Sequence, residues 1–288
     1  MSRLSRKQII AIILKKKSLL SGLFQSKTPA MGIHQIIPET KIHRFLRAYM
    51  KTAPVESVVV NPQRGGSSSW IVTLKGGQKG LFKKDFALQE QMAYTVDRIM
   101  GFNRAPVTVL RGKGVWVTLG DYGRPVEQPG VLMQWSKSSK AGSVFQLGIP
   151  QSHAVAYHEM RMFDFVIGNL DRNTGNYLVS KRLADEVIPV DHGASFHPSA
   201  EDISKFFREK RFAQSISALP TESRKLLIAR VDKLLSHEEQ ISSIAVKNDA
   251  FLRRYSNYVG FRPFRADMVM ARARYLRERV VASFVQER

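Results

Sequence analysis

Asp171, Asn176 and Asp191 are the residues whose types and spacing could best do chemistry. The run Phe163-Asp164-Phe165-Val166-Ile167-Gly168-Asn169-Leu170-Asp171-Arg172-Asn173-Thr174-Gly175-Asn176 places an asparagine five positions after an aspartate. Val187-Ile188-Pro189-Val190-Asp191-His192-Gly193 then adds a second aspartate, twenty positions after the first. Both sets sit at the ends of apolar segments. One carboxylate can face an acceptor hydroxyl, while an amide oxygen and another carboxylate hold Mg²⁺ against nucleotide phosphates. Mg²⁺ takes few protein ligands, all hard oxygens, and leaves the rest to phosphate and water. The spacing alone is a weak signal, since Asp and Asn are common loop residues. An apolar helix leading in and an apolar strand delivering Asp-x-Gly make it a specific one.

Upstream, Lys83 ends an apolar strand pattern, and Glu90 lies near the start of the following helix pattern. A lysine pinned by a helix carboxylate suits the α- and β-phosphates of a nucleotide. Lys84 is its rival, but strand alternation turns neighbouring side chains to opposite faces. Gly65-Gly66-Ser67-Ser68-Ser69 separates two strand patterns. Its small residues let backbone N–H groups approach phosphate, and Ser67, Ser68 and Ser69 add hydroxyls. Other chemistries are disfavoured. The chain has no cysteine, so disulfides and thiolate sites are excluded. His158-Glu159 and His237-Glu238 lack the second histidine of HExxH, and no GxSxG occurs. His192, beside Asp191, reads as structural.

Elements that could position these residues follow from periodicity. Val58 to Val60, Trp70 to Leu74 and Gly80 to Lys83 read as three strands joined by turns. Phe86 to Met100 reads as a helix, with Leu88, Met92, Val96 and Ile99 on one face. Val107 to Leu110, Gly114 to Thr118 and Val131 to Trp135 are further strands. Beyond Trp135 the pattern is mainly helical: Ser152 to Gly168, a hairpin of Tyr177 to Ser180 with Val187 to Val190, then helices from Ala200 to the end. The Ser-rich stretch Ser136 to Ser143 reads as a connection. Residues 265–285 carry an apolar stripe, Val269, Ala273, Leu276, Val280 and Phe284, with Arg272, Arg274, Arg277 and Arg279 elsewhere. The expected fold is α+β and two-lobed: a small antiparallel β-rich lobe with one helix, and a mainly helical lobe. The expected boundaries are 1–50 for a basic, partly helical extension, 51–135 for the small lobe and 136–288 for the large one.

Net charge is +21 over 288 residues, and it is unevenly spread. Residues 1–51 carry a net +10 and residues 251–288 a net +6, which leaves little excess in the centre. The excess suggests a docking surface for an anionic membrane or an acidic partner, or simply a solubilising one. Nucleic acid fits poorly, because no reading motif or interleaved aromatics accompany the charge. Ser5 to Phe24 could form a basic amphipathic helix, and Lys41 to Lys51 a second short helix. No apolar run approaches the ~20 residues needed to cross a membrane. Lys15-Lys16-Lys17 cuts short the apolar core that a cleaved leader would need. The expected location is cytoplasmic or peripheral to a membrane, with a specialised export route left open.

The same residues resemble the atypical kinases, in particular the secretory-pathway kinases that include Golgi casein kinase, the type II phosphatidylinositol 4-kinases and, more distantly, HipA-type kinases. Glu90 to Phe102 with Ala105-Pro106-Val107-Thr108-Val109, and Phe163 through Arg172, look like the secretory kinases. Gly66 to Trp70 and Leu81-Phe82-Lys83 are nearer the lipid kinases. The resemblance runs in order over roughly residues 55 to 200. It implies a protein-kinase-like fold, ATP with Mg²⁺ or Mn²⁺, Asp171 as catalytic aspartate, Asn176 and Asp191 as metal ligands, and Lys83 with Glu90 on the nucleotide. It also implies a hinge at Val131 to Trp135, so that Met133, Gln134 and Trp135 lie against adenine. The leading expectation is γ-phosphoryl transfer to a protein Ser/Thr hydroxyl. Phosphoinositide or glycan kinase, AMP transfer and a non-catalytic kinase-like binding module are the alternatives.

Overall fold

Strand β1 (Val55–Val60), β2 (Ser69–Leu74), β3 (Lys79–Lys83), β4 (Thr108–Arg111) and β7 (Gly130–Gln134) form one antiparallel sheet in the order β1-β2-β3-β7-β4. The computed structural model of the chain describes residues 41–62, 69–113, 115–118, 125–135, 139–141, 151–180, 186–196, 209–255 and 264–285. The helix expected over Ser5 to Phe24 lies outside them, as do Ser67 and Ser68. The alternation along β7 decides how the sheet is covered. Val131 and Met133 join the core under helix α2 (Ala87–Met100), while Leu132 joins the core under helix α1 (Lys41–Thr52). Period-2 alternation thus lets one strand serve two hydrophobic layers.

Helix α2 forms because Leu88, Met92, Val96 and Met100 recur on one face and are fully buried. Each is worth roughly 1.5–3 kcal/mol of burial. It ends where Gly101 adopts φ 76° and the N–H groups of Gly101 and Phe102 both donate to Asp97 O. Phe86, expected as its first turn, instead has φ 57° and stands just before it. Helix α1 is built into the small lobe, although the sequence reading assigned most of it to the extension. Its Met50 is buried with Trp70, Val72 and Leu74, and Arg111 Nη1 donates to Met50 O and Ala53 O at 2.9 and 3.0 Å. A two-stranded ribbon, β5 (Trp116–Thr118) with β6 (Pro125–Glu127), flanks the sheet.

The large lobe centres on helix α3 (Ala154–Ile167) and on the final helix α7 (Ala266–Val285). Between them in sequence come β9 (Tyr177–Ser180), β10 (Val187–Pro189), α4 (Glu209–Ser217), α5 (Thr221–Leu235) and α6 (Glu238–Tyr255). The hairpin β9–β10 gains a third strand, β8 (Ser139–Ala141), in the order β10-β9-β8. The strand falls within the stretch expected as a connection: Ser-Lys-Ala has little β-propensity and is recruited through backbone pairing with β9. The stripe Val269, Ala273, Leu276 and Val280 is buried as expected. The arginines of α7 are less free than a docking surface requires. Arg272 is buried beside Gly168, and burial pushes its pKa down to about 10. Arg274 pairs with Glu238 at 3.1 Å and Arg277 with Asp232 at 2.6 Å. Among the described residues no helix is long and apolar enough to cross a membrane.

A buried ionic knot joins the lobes. Glu159 of α3 accepts from Arg104 Nη2 at 2.5 Å and from Arg230 Nη1 of α5 at 3.3 Å. The Arg230 guanidinium also lies 4.4 Å from the Phe102 ring centroid. The turn leaving α2 is therefore fastened to two large-lobe helices. Glu159→Ala would leave two guanidinium groups without their shared counter-charge. We expect it to cost about 3–5 kcal/mol, the range for breaking a buried pair, read as a lowered midpoint in urea unfolding.

Candidate active site

Helix α3 ends at Gly168, whose φ of 62° only glycine adopts easily, and whose absent Cβ leaves room for the Arg272 guanidinium. Asn169 N–H donates back to Asp164 O at 2.9 Å, which turns the chain sharply into Leu170 and Asp171. The turn is then held by Arg172. Its Nε and Nη2 form a fork on the buried Asp164 carboxylate, at 2.9 Å to Oδ2 and 2.8 Å to Oδ1. Its Nη1 donates to the carbonyls of Asn176 and, at 2.5 Å, Val190. One guanidinium thus binds the helix end, the loop and the strand that leads to Asp191.

The loop brings Asp171 and Asn176 together. Asn176 Nδ2 donates to Asp171 O at 2.6 Å and to Asp171 Oδ2 at 3.0 Å. Asn173 Nδ2 donates to Asp171 Oδ1 at 2.8 Å, so each carboxylate oxygen is held by an amide. Because Nδ2 of Asn176 faces Asp171, its Oδ1 points the other way. Asp191 follows β10 with φ 58°, and its side chain is 43% exposed. Asn176 and Asp191 are linked through the backbone: Val190 N–H donates to Asn176 O at 3.1 Å. These hard oxygens fit a magnesium or manganese ion completed by phosphate and water. Among the described residues no group of three or more His, Cys, Asp or Glu could hold a metal by itself. A site for these ions with two protein ligands has no need of one.

The other half comes from the small lobe. Lys83 ends β3, is 6% exposed, and reaches Glu90 Oε1 at 2.7 Å and Asp191 Oδ1 at 2.9 Å. Lys84 points elsewhere, 4.0 Å from Asp85. Glu90 is fully buried, and burial alone would raise its pKa. Lys83 and His192 outweigh this and hold it well below the usual carboxylate range. Burial likewise opposes charge on Lys83, and Glu90 with Asp191 overcome it, so its pKa is raised. Ser69 sits across from Lys83 in register, with its Oγ accepting from Asn61 Nδ2 at 3.1 Å.

At the expected hinge, Met133 is buried within β7, and the N–H groups of Gln134 and Trp135 donate to Val107 O and Lys79 O. Sequence reading also missed Arg172, and it missed the bond from His192 Nδ1 to Glu90 Oε2 at 3.0 Å. The Asp-x-x-x-x-x-x-x-Arg spacing from Asp164 was the signal for the first; nothing local marks the second.

Comparisons with known proteins bear on the fold. A family model described as phosphatidylinositol 3- and 4-kinase matches residues 121–240, the stretch holding Asp171, Asn176 and Asp191. A crystal structure of the Golgi casein kinase with Mn/ADP bound is similar with a TM-score of 0.54 at 13% identity, over 84% of this chain and 76% of that one. A second Golgi casein kinase structure has a TM-score of 0.54 at 13% identity, covering 90% and 81%. The Helicobacter pylori proinflammatory kinase CtkA gives a TM-score of 0.44 at 12% identity, over 81% and 98%. No curated protein sequence matches the chain significantly. The chain has the fold of the atypical protein-kinase-like superfamily.

Two outcomes follow from the site. Arg172→Met would strand the buried Asp164 carboxylate and cost about 3–5 kcal/mol in urea unfolding. Arg172→Lys would recover only part, since an ammonium lacks the planar fork. Glu90, with its depressed folded pKa, contributes stability that is complete above its unfolded value of roughly 4.3. That stability is lost as pH falls from there through the folded value. The stability gap between wild type and Glu90→Gln should therefore be constant from pH 8 to 5 and shrink below pH 4.

Proposed function

We infer that the chain is an ATP- and Mg²⁺-dependent phosphotransferase acting on a hydroxyl group. The observation that carries this is the Lys83–Glu90–Asp191 contact set, joined to the Asp171–Asn176 loop by the bond from Val190 N–H to Asn176 O. It draws the five polar positions from four segments of the chain. A binding module would have no chemical need for both Asn176 and Asp191. Lys83 would hold the nucleotide phosphates, and Asn176 Oδ1 with Asp191 would supply the metal's protein ligands. The metal, when bound, offsets charge on the phosphates. Asp171 would orient the acceptor hydroxyl and take its proton as that oxygen bonds to the γ-phosphorus. The bond from the γ-phosphorus to the β–γ bridging oxygen breaks, and ADP leaves. Asn173 and Asn176 fix the carboxylate rotamer, so that its geometry is set before the acceptor arrives.

For the acceptor we place protein Ser/Thr first, supported by likeness to a kinase named for casein over most of the chain. A phosphoinositide is the second reading, supported by the family model across residues 121–240.

Incubation with γ-labelled and α-labelled ATP plus Mg²⁺, offered protein, phosphoinositide vesicles and glycans, separates these readings and AMP transfer. Label from γ-ATP should pass to acceptor, and Asp171→Ala and Asp191→Ala should each reduce transfer by at least ~10²-fold. Equal incorporation by wild type and both variants would reject the assignment. Label from α-ATP alone would make the reaction AMP transfer.

A further inference from the structure

His192 is a buried polar group that the reaction scheme above does not use. It is 1% exposed, and its Nδ1 lies 3.0 Å from Glu90 Oε2. An ionised carboxylate only accepts, so Nδ1 carries the hydrogen. The ring meets Phe163 edge-on, with centroids 6.1 Å apart, and Nε2 has no hydrogen-bond partner. A side chain that merely filled this space would leave no ring nitrogen unsatisfied, so filling alone does not account for an imidazole.

The contacts close a ring. Lys83 bonds Glu90 at 2.7 Å and Asp191 at 2.9 Å, Glu90 bonds His192, and His192 follows Asp191 in the chain. Glu90 on α2 and the loop after β10 are thus joined by two routes, one through Lys83 and one through His192. The Lys83 route is shared with the nucleotide, because two of its three donors already serve carboxylates and phosphate must draw on the same ammonium. The His192 route makes no demand on that ammonium.

We propose that His192 is a positioning residue that holds Glu90 to the Asp191 loop while Lys83 serves the phosphates. The proposal rests on the phosphotransferase reading and adds that the residue after the metal-binding aspartate keeps the lysine–glutamate pair in place. It acts through Glu90 and touches neither substrate nor reacting atoms.

The test compares side chains of similar bulk with and without a donor: His192→Asn against His192→Leu, and wild type against His192→Phe. Losing a hydrogen bond to a charged group is worth about tenfold or more. His192→Phe and His192→Leu should therefore raise KM for ATP about tenfold, with a smaller effect on kcat. His192→Asn, whose amide can donate to Glu90, should return most of that loss. Hydrogen exchange at the α2 amides should follow the same order, about tenfold faster without the donor. Wild-type KM and exchange in the Leu and Phe variants would overturn the proposal. So would an Asn variant as impaired as Leu, since volume alone would then matter. Should Phe fail to fold, the Asn and Leu pair decides. If the wild type neither binds Mg·ATP nor transfers phosphate, the phosphotransferase reading falls, while exchange at α2 still shows whether His192 holds Glu90.

Discussion

The guanidinium of Arg172 is the constraint on which the site depends. It is fully buried, forked onto Asp164, and shared between the carbonyls of Asn176 and Val190. Those carbonyls stand at the open end of the β9–β10 hairpin, where the Val190 N–H also donates to Asn176 O. A buried carboxylate and a buried guanidinium each carry a desolvation cost that only near-complete hydrogen bonding offsets. The pair is therefore tolerated only in this arrangement, which fixes Asp171, Asn176 and Asp191 relative to the end of α3. Asn169 extends the same logic by accepting the Asp171 N–H at 3.1 Å and donating to Asp164 at 3.3 Å.

Much of this was legible in sequence where chemistry and periodicity coincide. Asp171, Asn176 and Asp191 stand at the exits of apolar segments, and those segments became α3 and β10. Lys83 and Glu90 were legible because a strand followed closely by a helix brings positions seven apart into reach. The helix stripes of α2 and α7 were clear because core faces repeat at the helical period. What stayed hidden depends on tertiary neighbours. Glu159 and Arg230 are separated by 71 positions, and His192 and Glu90 by 102. No local pattern distinguishes such residues from surface charge. Arg272 was misplaced for the same reason, since an arginine inside a helical core breaks the expected polarity of its face.

Charge composition was a poorer guide than position. The basic excess near the C-terminus suggested an outward surface, yet Arg274 and Arg277 tie α7 to α6 and α5. Such exposed pairs contribute little stability, on the order of 0–1 kcal/mol each. They do reduce the charge available to an anionic partner. Arginines in the interior do more of the structural bonding, among them Arg111, Arg172 and Arg230.

Backbone conformation around the lysine shows how the two halves are made to meet. Phe86 and Asp191 both have left-handed φ, at 57° and 58°. For a phenylalanine this conformation is costly, on the order of 1–3 kcal/mol, and it persists only when surroundings enforce it. At Phe86 it bends the chain between β3 and α2, so that Lys83 and Glu90 face each other across the bend. At Asp191 it lets consecutive residues reach neighbouring partners, Lys83 and Glu90, where a regular strand would turn them to opposite faces. The two bends also touch. A Cβ on Gly193 would come within 3.1 Å of the Phe86 ring, a tight contact, so glycine after His192 lets the loop approach Phe86 closely. Both bends thus lie beside one buried ion pair, Lys83 with Glu90. The knot of Glu159 with Arg104 and Arg230 fixes the other end of α2. Held at both ends, that helix presents Glu90 in one position and keeps Lys83 bonded to it at 2.7 Å.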